Sequence, residues 1–154
     1  MKIHKKFGRG GFTLIELIVA IAIIATLSGI ILFSVSQYIN KGKDSNIAGN
    51  LAVLIPAGEV FYNGNGDSYE GFCDPNKNSV IKNALAQIPK VEDLICLEGL
   101  TPGICCNVAP TNDAWAACAA EFTNNKAFCV DSRGVKEIIE KDECTNLITE
   151  CPEL

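Results

Sequence analysis

The 154-residue chain has one histidine, His4, and it lies in a short basic stretch at the N-terminus. Ser–His–Asp and Cys–His mechanisms need an imidazole as general base, so the rest of the chain cannot assemble either by itself. The carboxylates Glu140 and Glu143 read as a solvated face rather than an acid–base pair, and no catalytic motif is present, so an enzyme is not expected. The eight cysteines include no C-x-x-C pair and have no accompanying histidine, so the usual zinc spacings are missing and no metal or other cofactor is expected. Basic charge is scarce after residue 11. Residues 1–11 carry Lys2, Lys5, Lys6 and Arg9 and no acid, a charge of +4, and the net charge of −5 leaves −9 on the remainder. Phosphate recognition needs clustered Lys and Arg, so no nucleic-acid partner is expected. Formal charge is also missing from Leu17 to Ile39, a run of 23 residues, and between Arg9 and Lys41 the only charged residue is Glu16.

That charge-free run is rich in Ile, Leu, Val and Ala, and it exceeds the ~20 residues that a helix needs to span a bilayer. The basic flank places the N-terminus in the cytoplasm. All eight cysteines (Cys73, Cys96, Cys105, Cys106, Cys118, Cys129, Cys144 and Cys151) follow the run. An even number of cysteines in a short, loop-rich region reads as a disulfide framework, which requires an oxidising compartment. Charge and cysteine placement therefore give the same orientation. Within such a span a carboxylate is costly, so Glu16 needs a partner or a purpose.

Beyond Lys41, Ile47, Leu51, Leu54, Ile55 and Phe61 recur at steps of three and four, the mark of an amphipathic helix. It can continue the apolar helix without a break to about Tyr62, with a kink expected at Pro56. "NGNGDSYEG" (Asn63–Gly71) reads as a loop. Its acids echo a calcium loop, but Ser68 stands where the glycine belongs and Asp74 where the glutamate belongs, so a turn is expected instead. Ser79 is the expected cap of a short helix that runs to Ile88 and is ended by Pro89. Residues 90–112 read mainly as loop. "WAACAAEF", "AFCV" and "VKEII" read as three strands of an antiparallel meander, joined by "TNNK" and "DSRG". The Ala-rich first segment also suits a helical turn.

Eight cysteines allow 105 pairings. Cys105 and Cys106 are expected to find different partners, because a vicinal disulfide is strained. Two pairs are suggested by the strands and the tail, Cys118 with Cys129 and Cys144 with Cys151. The first needs a register shift, because a simple turn at TNNK sets Cys129 opposite Ala120.

"KKFGRGGFTLIELIVAIAII" resembles the prepilin-type leader and N-terminal segment of type IV pilins and pseudopilins, over roughly residues 5–40, and "GFTLIEL" is the specific part. The resemblance implies cleavage after Gly11 by a membrane prepilin peptidase and N-methylation of the new N-terminus at Phe12. It also implies that Glu16 of one subunit pairs with the Phe12 amine of its neighbour in a filament. Prolines common in the family fall here on Phe33 and Val53, and the proline of this helix is Pro56 instead. Cleavage before the apolar run, rather than after it as in a Sec-type signal, keeps the helix as anchor and then as packing surface.

The expected architecture is α+β and type IV pilin-like. It comprises a basic leader (1–11), a transmembrane and assembly helix (12–40), its amphipathic continuation (41–62) and a cysteine-rich head with a small antiparallel sheet (63–154). The expected function is a structural subunit of a type IV pilus. The precursor spans the inner membrane once with its N-terminus cytoplasmic, and the mature form lies in the extracellular filament. Its partners are then the prepilin peptidase, identical or related pilins, the inner-membrane assembly machinery and lipid. The alternatives are a pseudopilin of a type II secretion or DNA-uptake system, or a single-pass anchored extracytoplasmic binding domain.

Overall fold

The computed structural model describes residues 11–90, 96 and 103–152. The basic stretch 1–10 and residues 91–95 and 97–102 of the loop expected over 90–112 lie outside the described residues. The fold is α+β: helices α1 (Leu14–Ala52), α2 (Leu54–Gly64) and α3 (Ser79–Gln87) precede strands β1 (Ile104–Val108), β2 (Trp115–Ala120), β3 (Lys126–Asp131) and β4 (Lys136–Glu140). The chain divides into two compact units, residues 1–38 and 39–154.

The first unit contains the apolar part of α1. Its large side chains, Leu14, Ile15, Leu17, Ile18 and onward to Phe33, are exposed. The helix is long and apolar enough to cross a membrane. Its hydroxyls do not spoil that surface. Thr26 donates to the Ile23 carbonyl, Ser28 to Ile24, Ser34 to Ile30 and Ser36 to Leu32. Each of these four hydroxyls is satisfied inside the helix, which lipid requires because it offers no hydrogen bonds.

In the second unit the amphipathic stripe does what its spacing predicts. Ile47, Leu51 and Leu54 are fully buried, and Ile55 and Phe61 pack against the same core. The helix breaks at Val53, three residues before Pro56. Proline at 56 cannot donate to the Ala52 carbonyl and its ring crowds that carbonyl, so the ladder parts one turn upstream of the ring. α2 then runs to Gly64, and the expected loop begins at Asn65 instead of Asn63. The cap of α3 is Asn78, not Ser79; its Oδ1 accepts from the Val80 and Ile81 amides. Asparagine caps as well as serine, and Ser79 is the first helical residue.

The sheet is an antiparallel meander of order β1-β2-β3-β4. Among the described residues it has four strands where three were expected, because β1 lies in the segment read as loop. Every residue of β2 is buried, since both faces of the sheet are covered. On one face Ile104, Cys106, Trp115, Ala117, Ala119 and Val130 meet the helices. On the other, Cys105, Ala116, Cys118, Ala127, Cys129 and Ile139 meet the C-terminal tail through Cys144, Ile148 and Cys151. A strand covered on both faces reads as a continuous run of small apolar residues, which is why W-A-A-C-A-A shows no alternation.

The β2–β3 register is set from outside the sheet. Asp44, on α1, accepts the backbone N–H of Phe122 at 2.6 Å and of Thr123 at 3.2 Å, and also the Thr123 hydroxyl. The ammonium of Lys43 lies 4.5 Å from the centre of the Phe122 ring. These contacts hold Phe122 and Thr123 in the loop, so the ladder closes at Glu121 and Lys126, and Cys118 pairs with Cys129. Asp44→Ala leaves the partly buried Phe122 amide and the exposed Thr123 amide without their acceptor. It is expected to destabilise the second unit by about 1.5–3 kcal/mol, the range for hydrogen bonds to a charged group, measured by denaturant unfolding.

Glu121 stands beside this clamp. Burial, and then the Asp44 charge, raise its pKa above the ordinary carboxylate value, against a smaller opposing effect of Lys126. A carboxyl raised on folding contributes its full stability below its unfolded pKa and loses it as pH rises through the folded value. Glu121→Gln is therefore expected to be more stable than the parent at pH 7. The gain should shrink to nothing as pH falls below 4.5, as read by unfolding midpoints across that range.

Candidate functional site

The candidate site is the start of α1. Gly11, Phe12 and Thr13 precede the helix, and all three are exposed. Thr13 is its N-terminal cap and Glu16 the third helical residue. The Glu16 carboxylate accepts the Thr13 amide at 2.8 Å and the Thr13 hydroxyl at 2.7 Å, and the Glu16 amide approaches the Thr13 hydroxyl at 3.4 Å. This is a reciprocal capping box, which satisfies orphan donors of the first turn. The negative charge also sits where the helix dipole favours it.

The capping box answers part of the question that Glu16 poses. An isolated carboxylate beside Ile15, Val19 and Ile23 is costly, but one that closes on the first turn has a local partner. The sequence carries the signal as T-x-x-E directly before an apolar run, Thr13 to Glu16, and Thr13 is the site residue that the sequence analysis did not single out. The Phe12 nitrogen is a peptide amide here, and Glu16 closes on Thr13. The apolar side chains around it, Ile15, Val19, Ala20 and Ile23, line a shallow groove with Glu16 at one end.

All eight cysteines are in disulfides: Cys73–Cys106, Cys96–Cys105, Cys118–Cys144 and Cys129–Cys151. The vicinal pair separates as expected, because successive residues of β1 point to opposite faces. Cys106 turns to the helix side and Cys105 to the tail side. The two suggested pairs are corrected. Cys118 and Cys129 stand opposite each other in register but do not bond, and Cys144 and Cys151 do not close a loop of their own. The tail lies across the sheet, so its two cysteines reach two different strands. The sulfurs of Cys105, Cys118 and Cys144 lie within 4.8 Å of one another, but disulfide sulfur is not the thiolate that metals bind.

No curated protein and no solved structure matches the chain. Residues 6–32, which contain Gly11, Phe12, the capping box and much of the apolar helix, match the family model of the prokaryotic N-terminal methylation motif, and the chain therefore carries the prepilin signature of type IV pilins and pseudopilins.

Proposed function

We propose that the chain is a prepilin that becomes a structural subunit of a type IV pilus. The observation that carries this reading is the methylation motif at residues 6–32, set on a helix whose apolar side chains are exposed from Phe12 to Phe33. The precursor sits in the inner membrane with its N-terminus cytoplasmic. The prepilin peptidase cuts between Gly11 and Phe12, and the new amine of Phe12 is methylated and keeps its charge. In the filament, identical helices replace lipid around the apolar surface. Glu16 of an incoming subunit then pairs with the Phe12 amine of its neighbour and fixes their axial register. The four disulfides suit a filament exposed outside the cell, which favours a pilus over a periplasmic pseudopilus. Nothing in this role requires catalysis by the chain.

Intact mass with N-terminal sequencing of the protein from its native membrane tests the reading. The expected mature chain begins at methylated Phe12 and is lighter by the eight hydrogens of four disulfides. A mature chain that begins at Met1 overturns the proposal.

A further inference from the structure

Three cysteines stand in one row on the tail side of the sheet. Cys105 is in register with Cys118, and Cys118 with Cys129. Directly opposed side chains on antiparallel strands have Cβ atoms about 4.5–5.5 Å apart, near the reach of a disulfide. A sheet that forms before the tail docks thus presents Cys129 with Cys118 as its nearest thiol. The native pattern bonds none of the three to another. Cys129 instead takes Cys151, which is 22 residues away along the chain.

The β3–β4 turn holds the means of that choice. Asp131 is fully buried, two residues after Cys129 on the same face of β3. Its Oδ1 accepts the backbone N–H of Arg133 at 2.9 Å and of Val135 at 3.2 Å. Its Oδ2 accepts Arg133 Nε at 3.0 Å and Nη2 at 2.7 Å. All of these partners lie within four residues, and Gly134 supplies the positive φ, +83°, that the turn needs. The turn can therefore form before the tail arrives. What it then captures is the peptide of Cys151: Oδ2 accepts the Cys151 N–H at 3.1 Å, and Arg133 Nη2 donates to the Cys151 carbonyl at 2.7 Å. Donor and acceptor of one residue are both gripped, and that residue carries the sulfur that bonds Cys129.

We propose that Asp131 and Arg133 form a docking site for the Cys151 peptide that steers oxidative pairing, so that Cys129 bonds Cys151 and not Cys118. Both are positioning residues. An oxidant of the disulfide class first exchanges with the Cys151 thiol, giving a mixed disulfide and releasing one thiol. The Cys129 thiolate then attacks the Cys151 sulfur, the Cys129–Cys151 bond forms, and the second thiolate leaves. Docking raises the local concentration of the Cys151 sulfur at Cys129 and does not alter the chemistry of the exchange.

The test is oxidative refolding of the full chain in detergent with a glutathione buffer. Cleavage after Lys126, Arg133, Lys141 and Glu150 puts Cys129, Cys144 and Cys151 on separate peptides for mass mapping. Asp131→Asn keeps an oxygen for the local turn but turns an NH2 toward Arg133 and the Cys151 N–H, so the grip fails while the turn persists. The expected result is a loss of Cys129–Cys151 of about tenfold, the factor that one charge-assisted hydrogen bond supplies, with Cys118–Cys129 in its place. Arg133→Gln, which spares the carboxylate, is expected to shift the same ratio in the same direction. Replacing both Cys118 and Cys144 with Ala in the Asp131→Asn background removes the competitor and is expected to restore Cys129–Cys151, which a merely structural role for Asp131 does not predict. Native pairing at parental yield in both single variants overturns the proposal. So does a loss of Cys129–Cys151 that persists without Cys118.

Discussion

Glu16→Ala is expected to leave cleavage after Gly11 intact and to abolish filaments, read as pelletable surface fibre against mature subunit in the membrane. Two roles for the carboxylate predict this loss, and Glu16→Gln separates them. As a cap, Glu16 accepts from Thr13, and glutamine fills that position of a capping box as well as glutamate does. As half of an ion pair, it must be charged. Removing one member of a buried pair costs about 3–5 kcal/mol, because it strands the other charge, whereas a lost cap costs about 1 kcal/mol. The pair outweighs the cap, so Glu16→Gln is expected to fail in assembly almost as fully as Glu16→Ala. Filaments at the parental level in Glu16→Gln would assign Glu16 to the helix start alone and end the ion-pair reading. In either case the precursor stays anchored, since the charge-free helix from Leu17 onward is untouched.

Gly58→Ala is expected to be the most damaging single-methyl change in the second unit. Gly58 faces Trp115 from α2, and a Cβ there meets Nε1 at 2.7 Å and Cε2 and Cζ2 at 3.0 Å. The indole cannot retreat. It is fully buried, the tilted Phe72 ring packs on it with centroids 4.6 Å apart and Tyr69 closes its edge at 6.4 Å. Two effects compete. Alanine is the better helix former by about 1 kcal/mol, but overpacking a tight core costs about 1–3 kcal/mol. With a rigid aromatic as the obstacle, overpacking wins. Gly49→Ala is the control. Gly49 is exposed on α1, and a methyl added there meets nothing within 4 Å, so only propensity acts, and a gain of about 0.5–1 kcal/mol is expected. Denaturant unfolding of both variants should give shifts of opposite sign, and a stabilised Gly58→Ala would refute this account of the core.

The methylation motif and the membrane-length helix were legible because their signals are local. "GFTLIEL" and the 23 charge-free residues need no tertiary context. The stripe Ile47–Leu51–Leu54 was legible because a helix period is written along the chain, and the β2, β3 and β4 segments because turn residues bound short apolar runs. β1 was missed because I-C-C-N-V is short and lies between segments dense in proline, glycine and cysteine. Thr13 was passed over in favour of the charge it caps, although T-x-x-E was there to be read.

By itself, then, the sequence determined a membrane-length helix that begins with a charged cap, an amphipathic continuation and a cysteine-rich antiparallel head. Only the tertiary structure decided which cysteines meet and in what register. Disulfides depend on Cα atoms coming within about 6 Å, and here that approach depends on contacts between residues far apart in sequence. Asp44 reaches 78 residues forward to fix the β2–β3 loop, and Asp131 reaches 20 residues forward to hold Cys151. Neither contact leaves a periodic trace in the sequence, because each is a single carboxylate that meets a backbone amide.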